Sequence, residues 1–119
     1  MRDFKKIQVW EKAHALTLRL YKITASFPAH EIYGLTSQIR RAAASIPANI
    51  AEGAGRDSQA ELARFTHIAS GSASELEYHL ILAHDLGYMN DSIHLEVETA
   101  ISEIKRMLHG FEQAVKKHI

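Results

Sequence analysis

Apolar residues recur every three or four positions through most of this sequence, and no other feature constrains its fold as strongly. Three clusters of turn-forming residues interrupt the pattern, at positions 27–30, 53–58 and 86–91. The four stretches between them each carry an apolar stripe of the kind that a helix buries. No stretch of four or more residues alternates as a half-buried strand would. We therefore predict an all-α fold, an antiparallel up-and-down four-helix bundle in which residues 1–119 form one domain.

Local signals mark the ends of the predicted helices. Ser58 followed by Glu61 has the spacing of a capping box at the start of the third helix. Gly87 suits the left-handed position after that helix. Asp91 or Ser92 is expected to cap the fourth helix.

Pro47 lies inside the second helical stretch, where a proline removes a backbone hydrogen bond and costs about 3 kcal/mol or more. Two outcomes are open, a kinked helix or a break followed by a new helix. Ile46 and Ile50 keep the apolar stripe in phase across the proline, so we predict a second helix that is kinked at Pro47.

Composition excludes several classes of protein. The chain has no cysteine, which excludes disulfides, thiolate metal sites and cysteine nucleophiles. Its 14 Lys and Arg residues balance 14 Asp and Glu residues, so the basic excess of a general nucleic-acid binder is absent. The sequence shows neither an apolar signal stretch nor an apolar run of membrane-spanning length. We expect a cytoplasmic protein with no membrane association.

Charge is unevenly distributed along this neutral chain. Residues 1–22 carry a net charge of +4, residues 56–103 carry −7, and residues 104–119 carry +3. This asymmetry has three interpretations: complementary helices within one monomer, an orienting field between subunits, or simple solvated faces.

The sequence also has more apolar surface than one bundle needs. The first helix carries a second apolar stripe, and the third helix contains three consecutive apolar residues at 80–82, close to a tyrosine. Exposed patches of this kind usually mark protein–protein contacts. We expect self-association through an interface that contains Trp10, Leu18, Tyr21, Tyr78, Ile81 and Leu82.

Small and polar residues cluster at 42–45 and 70–73, which a helical hairpin would bring together. A glycine inside a helix costs about 1 kcal/mol relative to alanine, so we expect Gly71 to permit tight packing between the second and third helices. Asn49 and Glu52 are expected to bind the backbone of the loop at 53–58. A polar binding pocket at this seam is the alternative.

Motifs for metal and phosphate chemistry are weak. The chain has eight histidines, and no two of them are spaced i, i+4. Glu11-x-x-His14 is half of a di-iron signature, but Asp91-x-x-His94 begins a helix and cannot complete a central site. The glycines at 53 and 55 follow no strand, and nucleophile-elbow and P-loop motifs are missing. We predict no catalytic residue, no cofactor and no metal.

Three arginines, Arg40, Arg41 and Arg56, are the candidates for nucleic-acid contact. Adjacent arginines point about 100° apart on a helix, so Arg40 and Arg41 do not form a stripe. We expect these residues to form salt bridges with Glu52 or Glu75, or with a neighbouring subunit.

Residues 45–53 read Ser-Ile-Pro-Ala-Asn-Ile-Ala-Glu-Gly, with Gly55-Arg56 and Ser58 following. This string resembles the signature of the 23S rRNA intervening-sequence proteins, also called the four-helix bundle protein family. Residues 4–10, 27–35 and 71–77 resemble its other conserved segments, so the likeness covers nearly the whole chain. The resemblance implies a structural role for the motif residues Pro47, Asn49, Glu52, Gly53, Gly71, Ser72 and Glu75.

The resemblance also implies a bacterial cytosolic four-helix bundle that forms a ring-like homopentamer and has no established enzymatic activity. A related group, the accessory variability proteins of diversity-generating retroelements, forms similar pentamers that bind nucleic acid and a reverse transcriptase. Those proteins are markedly basic, whereas this chain is neutral. We therefore predict a non-enzymatic, self-assembling scaffold or interaction module with a protein partner. The alternative is a nucleic-acid-binding accessory protein that uses Arg40, Arg41, Arg56 and the basic first helix.

Overall fold

The computed structural model describes residues 2–119, which form four α-helices and contain no β-strand. The helices are α1 (Gln8–Thr24), α2 (Leu35–Ala54), α3 (Gln59–Asp85) and α4 (Asp91–Lys116), with short 3-10 turns at Phe4–Lys6 and Ala29–Glu31. Each helix packs against the next one, and α4 also packs against α1. The predicted all-α four-helix bundle is therefore confirmed.

The core is formed by the apolar stripes that the sequence pattern assigns to each helix. Along α1 and the turn after it, the buried apolar residues are Val9, Ala13, Leu16, Leu20, Ile23 and Phe27. The side chains of Ile39, Ile50, Leu76, Leu80 and Leu108 are completely buried where the four helices meet. Burial of about 25 cal/mol per Å² of apolar surface makes these stripes the main source of stability.

Two of the three predicted helix boundaries are found, and one is displaced by a residue. The Ser58 hydroxyl accepts a hydrogen bond from the Glu61 amide at 3.1 Å, and Gly87 has a left-handed φ of +82°. The prediction for α4 was wrong, because Asn90 caps this helix in place of Asp91 or Ser92. The Asn90 side-chain oxygen accepts a hydrogen bond from the Ile93 amide at 2.8 Å.

Helix α2 continues through Pro47, so the second helix is continuous and the break is ruled out. Because proline has no amide proton, the carbonyl of Ala43 loses its usual partner four residues later. The Thr17 hydroxyl of α1 lies 3.1 Å from this carbonyl and donates to it across the helix interface. Ala43 is 1% exposed, so a neighbouring helix satisfies a carbonyl that water does not reach.

Helices α2 and α3 approach each other closely at Gly53. A Cβ atom on Gly53 would lie 2.8 Å from Cβ of Phe65 and 3.2 Å from a methyl carbon of Leu62. The prediction for Gly71 was wrong: this residue is exposed, and a Cβ there would meet nothing within 4 Å. Position 71 points outward because it precedes the buried Ala73 by two residues, which is about 200° around a helix.

Candidate interaction surface

The outer side of α1 carries three of the residues expected at an interface, Trp10, Leu18 and Tyr21, which we call the α1 patch. The side chains of Leu18 and Tyr21 are 55% and 45% exposed. Trp10 is half-buried, and its ring stacks on His14 at a centroid distance of 4.9 Å. The guanidinium of Arg40 lies 4.7 Å from the centre of the Tyr21 ring. The α1 patch thus combines exposed apolar surface with an adjacent positive charge.

The outer side of α3 carries the other three, Tyr78, Ile81 and Leu82, which we call the α3 patch. Tyr78 and Ile81 are 59% and 41% exposed, whereas Leu82 is half-buried against the core. Glu75 lies one turn before Tyr78 and Asp85 lies one turn after Ile81, and their side chains are 51% and 70% exposed. The α3 patch is therefore apolar with acidic neighbours.

The six predicted interface residues form two separate surfaces in one chain, because α1 and α3 lie diagonally across the bundle. Other exposed apolar side chains lie outside both patches and were not predicted from the sequence: Ile32, Tyr33, Ile68, Leu86, Leu95 and Ile119. For Leu95 a signal existed, since it falls out of phase with the buried stripe that contains Val97 and Ile101.

Two basic residues of α1 pair with acidic residues of α4 within the monomer. Lys12 lies 2.9 Å from Glu103, and Arg19 makes a two-pronged hydrogen bond with Glu96 at 2.7 and 2.9 Å. Both pairs join α1 to α4, and hydrogen bonding to Arg19 lowers the pKa of Glu96. Complementary helices within one chain, one of the three interpretations of the charge pattern, are thus present in the structure.

Arg40 and Arg41 lie on different sides of α2. Arg40 donates to the Thr24 hydroxyl at 2.9 Å and to the Tyr21 carbonyl at 3.3 Å, which attaches it to α1. Arg41 is exposed and donates to the side-chain oxygen of Gln38. The two arginines therefore do not present a common surface.

The third candidate arginine is also engaged within the chain. Arg56 lies 3.3 Å from Glu52, which confirms the expected salt bridge between them. Its guanidinium lies 5.0 Å from the centre of the Phe65 ring, and that of Arg64 lies 4.5 Å from the same ring. Arg56 thus closes the α2–α3 turn over an aromatic side chain.

The polar motif residues form contacts between and within helices. The hydroxyls of Ser45 and Ser72 are 2.7 Å apart, which joins α2 to α3 as the predicted seam requires. The prediction that Asn49 and Glu52 bind the loop backbone was wrong. The Asn49 amide reaches back one turn and donates to the carbonyl of Ser45 at 2.8 Å and to its hydroxyl at 3.0 Å. The Glu52 carboxylate instead pairs with the Arg56 side chain. Glu75 lies 3.3 Å from His79 on the same helix.

A carboxyl pair spans α3 and α4, and no motif in the sequence indicates it. Burial, together with a hydrogen bond to Glu77 and the charge of Glu77, raises the pKa of Glu98 to about 7. Lys105 donates to Glu77 at 2.8 Å, and the hydrogen bonds to Glu77 lower its pKa. His94 lies 3.7 Å from the free oxygen of Glu98. The Glu98 carboxyl therefore changes its protonation state near neutral pH.

The grooves of the bundle and the placement of side chains that could bind a metal ion bear on catalysis and metal binding. An apolar groove of about 480 Å³ lies between the start of α1 and the end of α4, and its lining includes Ile7, Met107 and Phe111, with Lys6 as its one titratable side chain. Residues 2–119 contain no group of three or more His, Cys, Asp or Glu side chains placed to hold a metal ion. Within the same residues, no helix has the length and apolarity needed to cross a membrane.

The packing and the motif contacts define an antiparallel four-helix bundle whose second and third helices are joined through a small-residue and polar seam. The model of the 23S rRNA-intervening sequence protein family matches residues 5–110, and the chain belongs to that family. The resemblance found in residues 45–53 is thereby confirmed.

One solved structure similar to this chain is a crystal structure of a protein with unknown function from the S23 ribosomal protein family of Bacteroides thetaiotaomicron VPI-5482. The two chains are 26% identical with a TM-score of 0.78, and the match covers 87% of this chain and 97% of that one. No curated protein matches the chain.

Proposed function

We propose that this protein is a non-enzymatic module of the cytoplasm that assembles with copies of itself into a homopentamer and presents the assembled surface to a protein partner. The observation that carries the proposal is the exposure of four large apolar side chains on the outer faces of α1 and α3. Leu18, Tyr21, Tyr78 and Ile81 are between 41% and 59% exposed. Patches of this kind are typical of protein–protein contacts.

The contacts of the candidate arginines favour self-assembly over the nucleic-acid alternative. Arg40 and Arg56 already bond to neighbours within the chain, and Arg41 stands apart from them. Two basic residues of α1, Lys12 and Arg19, are paired with carboxylates of α4. A surface that binds phosphates needs several unpaired cations side by side. The exposed apolar side chains of α1 and α3 therefore support the interaction module more directly than these cations support nucleic-acid binding.

The test is the molar mass of the purified protein by size-exclusion chromatography with light scattering. We expect a mass near five times the 13.4 kDa of one chain. Leu18→Glu and Tyr78→Glu should each reduce that mass, because a charge would have to be buried at the contact. Leu95→Glu is the matched control, since Leu95 is 69% exposed and lies outside both patches. A wild-type protein that elutes as a monomer would overturn the proposal.

The same chromatogram tests the nucleic-acid alternative when absorbance is recorded at nucleic-acid and protein wavelengths. Bound nucleic acid that is released as salt rises, together with a loss of binding in Arg41→Ala, would support the alternative, because phosphate contacts release counterions. A mass near five chains without nucleic acid favours the interaction module.

A further inference from the structure

The arrangement of the two patches points to how copies of this chain meet. We propose a head-to-tail contact in which the α1 patch of one copy packs against the α3 patch of the next copy. This inference rests on the proposed self-assembly and deepens it by naming the two surfaces that meet and the second copy as their occupant.

The positions of the two patches in the bundle favour this contact. Within residues 2–119, α1 and α3 do not pack against each other, and each instead packs against α2 and α4. The outer faces of two diagonal helices point away from each other, so the α1 and α3 patches lie on opposite sides of the bundle. A two-fold contact pairs one patch with itself and leaves the other exposed. A head-to-tail contact covers both patches in every copy and closes into a ring when the rotation permits.

The charged residues that border the two patches also favour this contact. Lys22 lies one turn after Leu18 and is exposed, and the Arg40 guanidinium lies over the Tyr21 ring. The α1 patch is thus bordered by cations, with Glu11 two turns before Leu18.

The α3 patch is bordered by the exposed carboxylates of Glu75 and Asp85. Contact of a patch with its own copy would bring like charges together, which is unfavourable. Contact between the α1 and α3 patches pairs opposite charges around an apolar centre, which favours this orientation over the alternatives.

An exposed glycine on α3 is also consistent with this contact. Gly71 lies two turns before Tyr78, on the same outer side of the helix, and no atom lies within 4 Å of the place its Cβ would occupy. A glycine here weakens the helix, and nothing within the chain requires it. Without a side chain at this point, a helix of a neighbouring copy can approach the α3 backbone closely. Gly71 therefore extends the α3 patch by two turns.

Because the chain has no cysteine, engineered cysteines test the contact without background. The probe is a short bis-maleimide linker added to three variants: Leu18→Cys, Tyr78→Cys and the double variant. A head-to-tail contact predicts a ladder of covalent oligomers larger than a dimer for the double variant. The single variants should remain monomeric on a denaturing gel, because each of their contacts contains one cysteine.

Covalent dimers of either single variant, without a ladder from the double variant, would overturn the head-to-tail contact and indicate a two-fold one. A ring of five copies contains no two-fold contact, so this outcome would overturn the proposed homopentamer as well. Absence of any cross-link in a protein that elutes as an oligomer would also overturn it, because assembly would then use other surfaces. A wild-type monomer in solution would overturn the proposed self-assembly itself, so the two failures are distinguishable. Unfolding curves of each cysteine variant show whether its fold is intact.

A complementation experiment provides an independent readout. Leu18→Glu blocks the α1 patch and Tyr78→Glu blocks the α3 patch, so each variant alone should be monomeric. Mixed at high concentration, they retain one compatible pair of patches and should form a one-to-one dimer that cannot grow. A variant that still self-associates fully, or a mixture that stays monomeric while the double-cysteine variant also fails to cross-link, would refute the arrangement.

Discussion

The hydrogen bond from Thr17 to Ala43 explains how a proline can occupy the interior of α2, and it predicts a specific energetic coupling. The Thr17 hydroxyl lies 2.8 Å from the Ala13 carbonyl and 3.1 Å from the Ala43 carbonyl. Ala13 has another donor, the amide of Thr17 in the same helix, whereas Ala43 has lost its usual donor to Pro47. The hydroxyl is therefore needed mainly by Ala43.

Thr17→Val removes this donor and keeps the shape of the side chain. Thr17 is 8% exposed and Ala43 is 1% exposed, so water does not replace the lost bond. An unsatisfied buried carbonyl costs about 1–3 kcal/mol, and we expect the free energy of unfolding to fall by that amount. In the Pro47→Ala background, the new amide at position 47 donates to Ala43. In that background, Thr17→Val should lower the free energy of unfolding by at least about 1 kcal/mol less than it does in the wild type. A difference of this size lies within the usual range of coupling between contacting residues.

The assay is a double-mutant cycle from urea unfolding followed by circular dichroism, at one protein concentration because assembly shifts apparent stability. Thr66→Val is the matched control, since Thr66 is fully buried and donates to the carbonyl of Leu62 within its own helix at 2.7 Å. Its effect should be the same with Pro47 or Ala at position 47. Equal effects of Thr17→Val in the two backgrounds would refute the role assigned to its hydroxyl.

We also expect defined effects from substitutions at Gly53, Glu98 and Gly71. Gly53→Ala should lower stability by about 1–3 kcal/mol through overpacking, because its Cβ would lie 2.8 Å from Cβ of Phe65; a thermal melt measures this. Glu98 has a pKa raised from 4.5 to about 7, so the folded protein binds the extra proton and stability should fall as pH rises through that window. Glu98→Gln should flatten this decrease in unfolding curves recorded across the window. Gly71→Ala should raise helix stability by up to about 1 kcal/mol in the monomer, whereas Gly71→Leu should weaken assembly seen by light scattering.

Each of these predictions has a contrasting outcome. An unchanged or higher melting temperature of Gly53→Ala would contradict the predicted overpacking, and would mean that α2 and α3 separate at little cost. If the stability of Glu98→Gln kept the pH dependence of the wild type, Glu98 would not be its source. Glu103→Gln is the control, because Glu103 lies elsewhere on α4 and pairs with Lys12. Full assembly of Gly71→Leu would place Gly71 outside the contact.

The fold could be predicted because a helical period is a local property of the sequence. Spacing alone placed Val9, Leu16 and Leu20 on the buried side of α1, and all three are at most 6% exposed. The same phase argument could have corrected the expectation for Gly71. Its neighbour Ala73 belongs to the buried stripe, so position 71 had to point outward. Small residues indicated close packing, but composition does not specify a face.

Contacts between helices could not be predicted, because they depend on how far one helix is shifted along another. Thr17 meets Ala43, and Glu77 meets Glu98, only in the register that the packed core imposes. The cap of α4 was missed for a smaller reason, since Asn90, Asp91 and Ser92 are all suitable capping residues and the one that is used depends on where the turn ends.

The family motif separates into residues that the monomer explains and residues that it does not. Pro47 is matched by a hydroxyl from α1, Gly53 by the close approach of Phe65, and Ser72 by its bond with Ser45. Gly71 belongs to the same motif, yet it is exposed and weakens its helix without a contact in the chain that requires it. A residue that costs stability in the monomer agrees with the proposed assembly, in which a neighbouring copy would cover it. Because Gly71 shares its side of α3 with Tyr78, a second copy that covers the α3 patch would cover both.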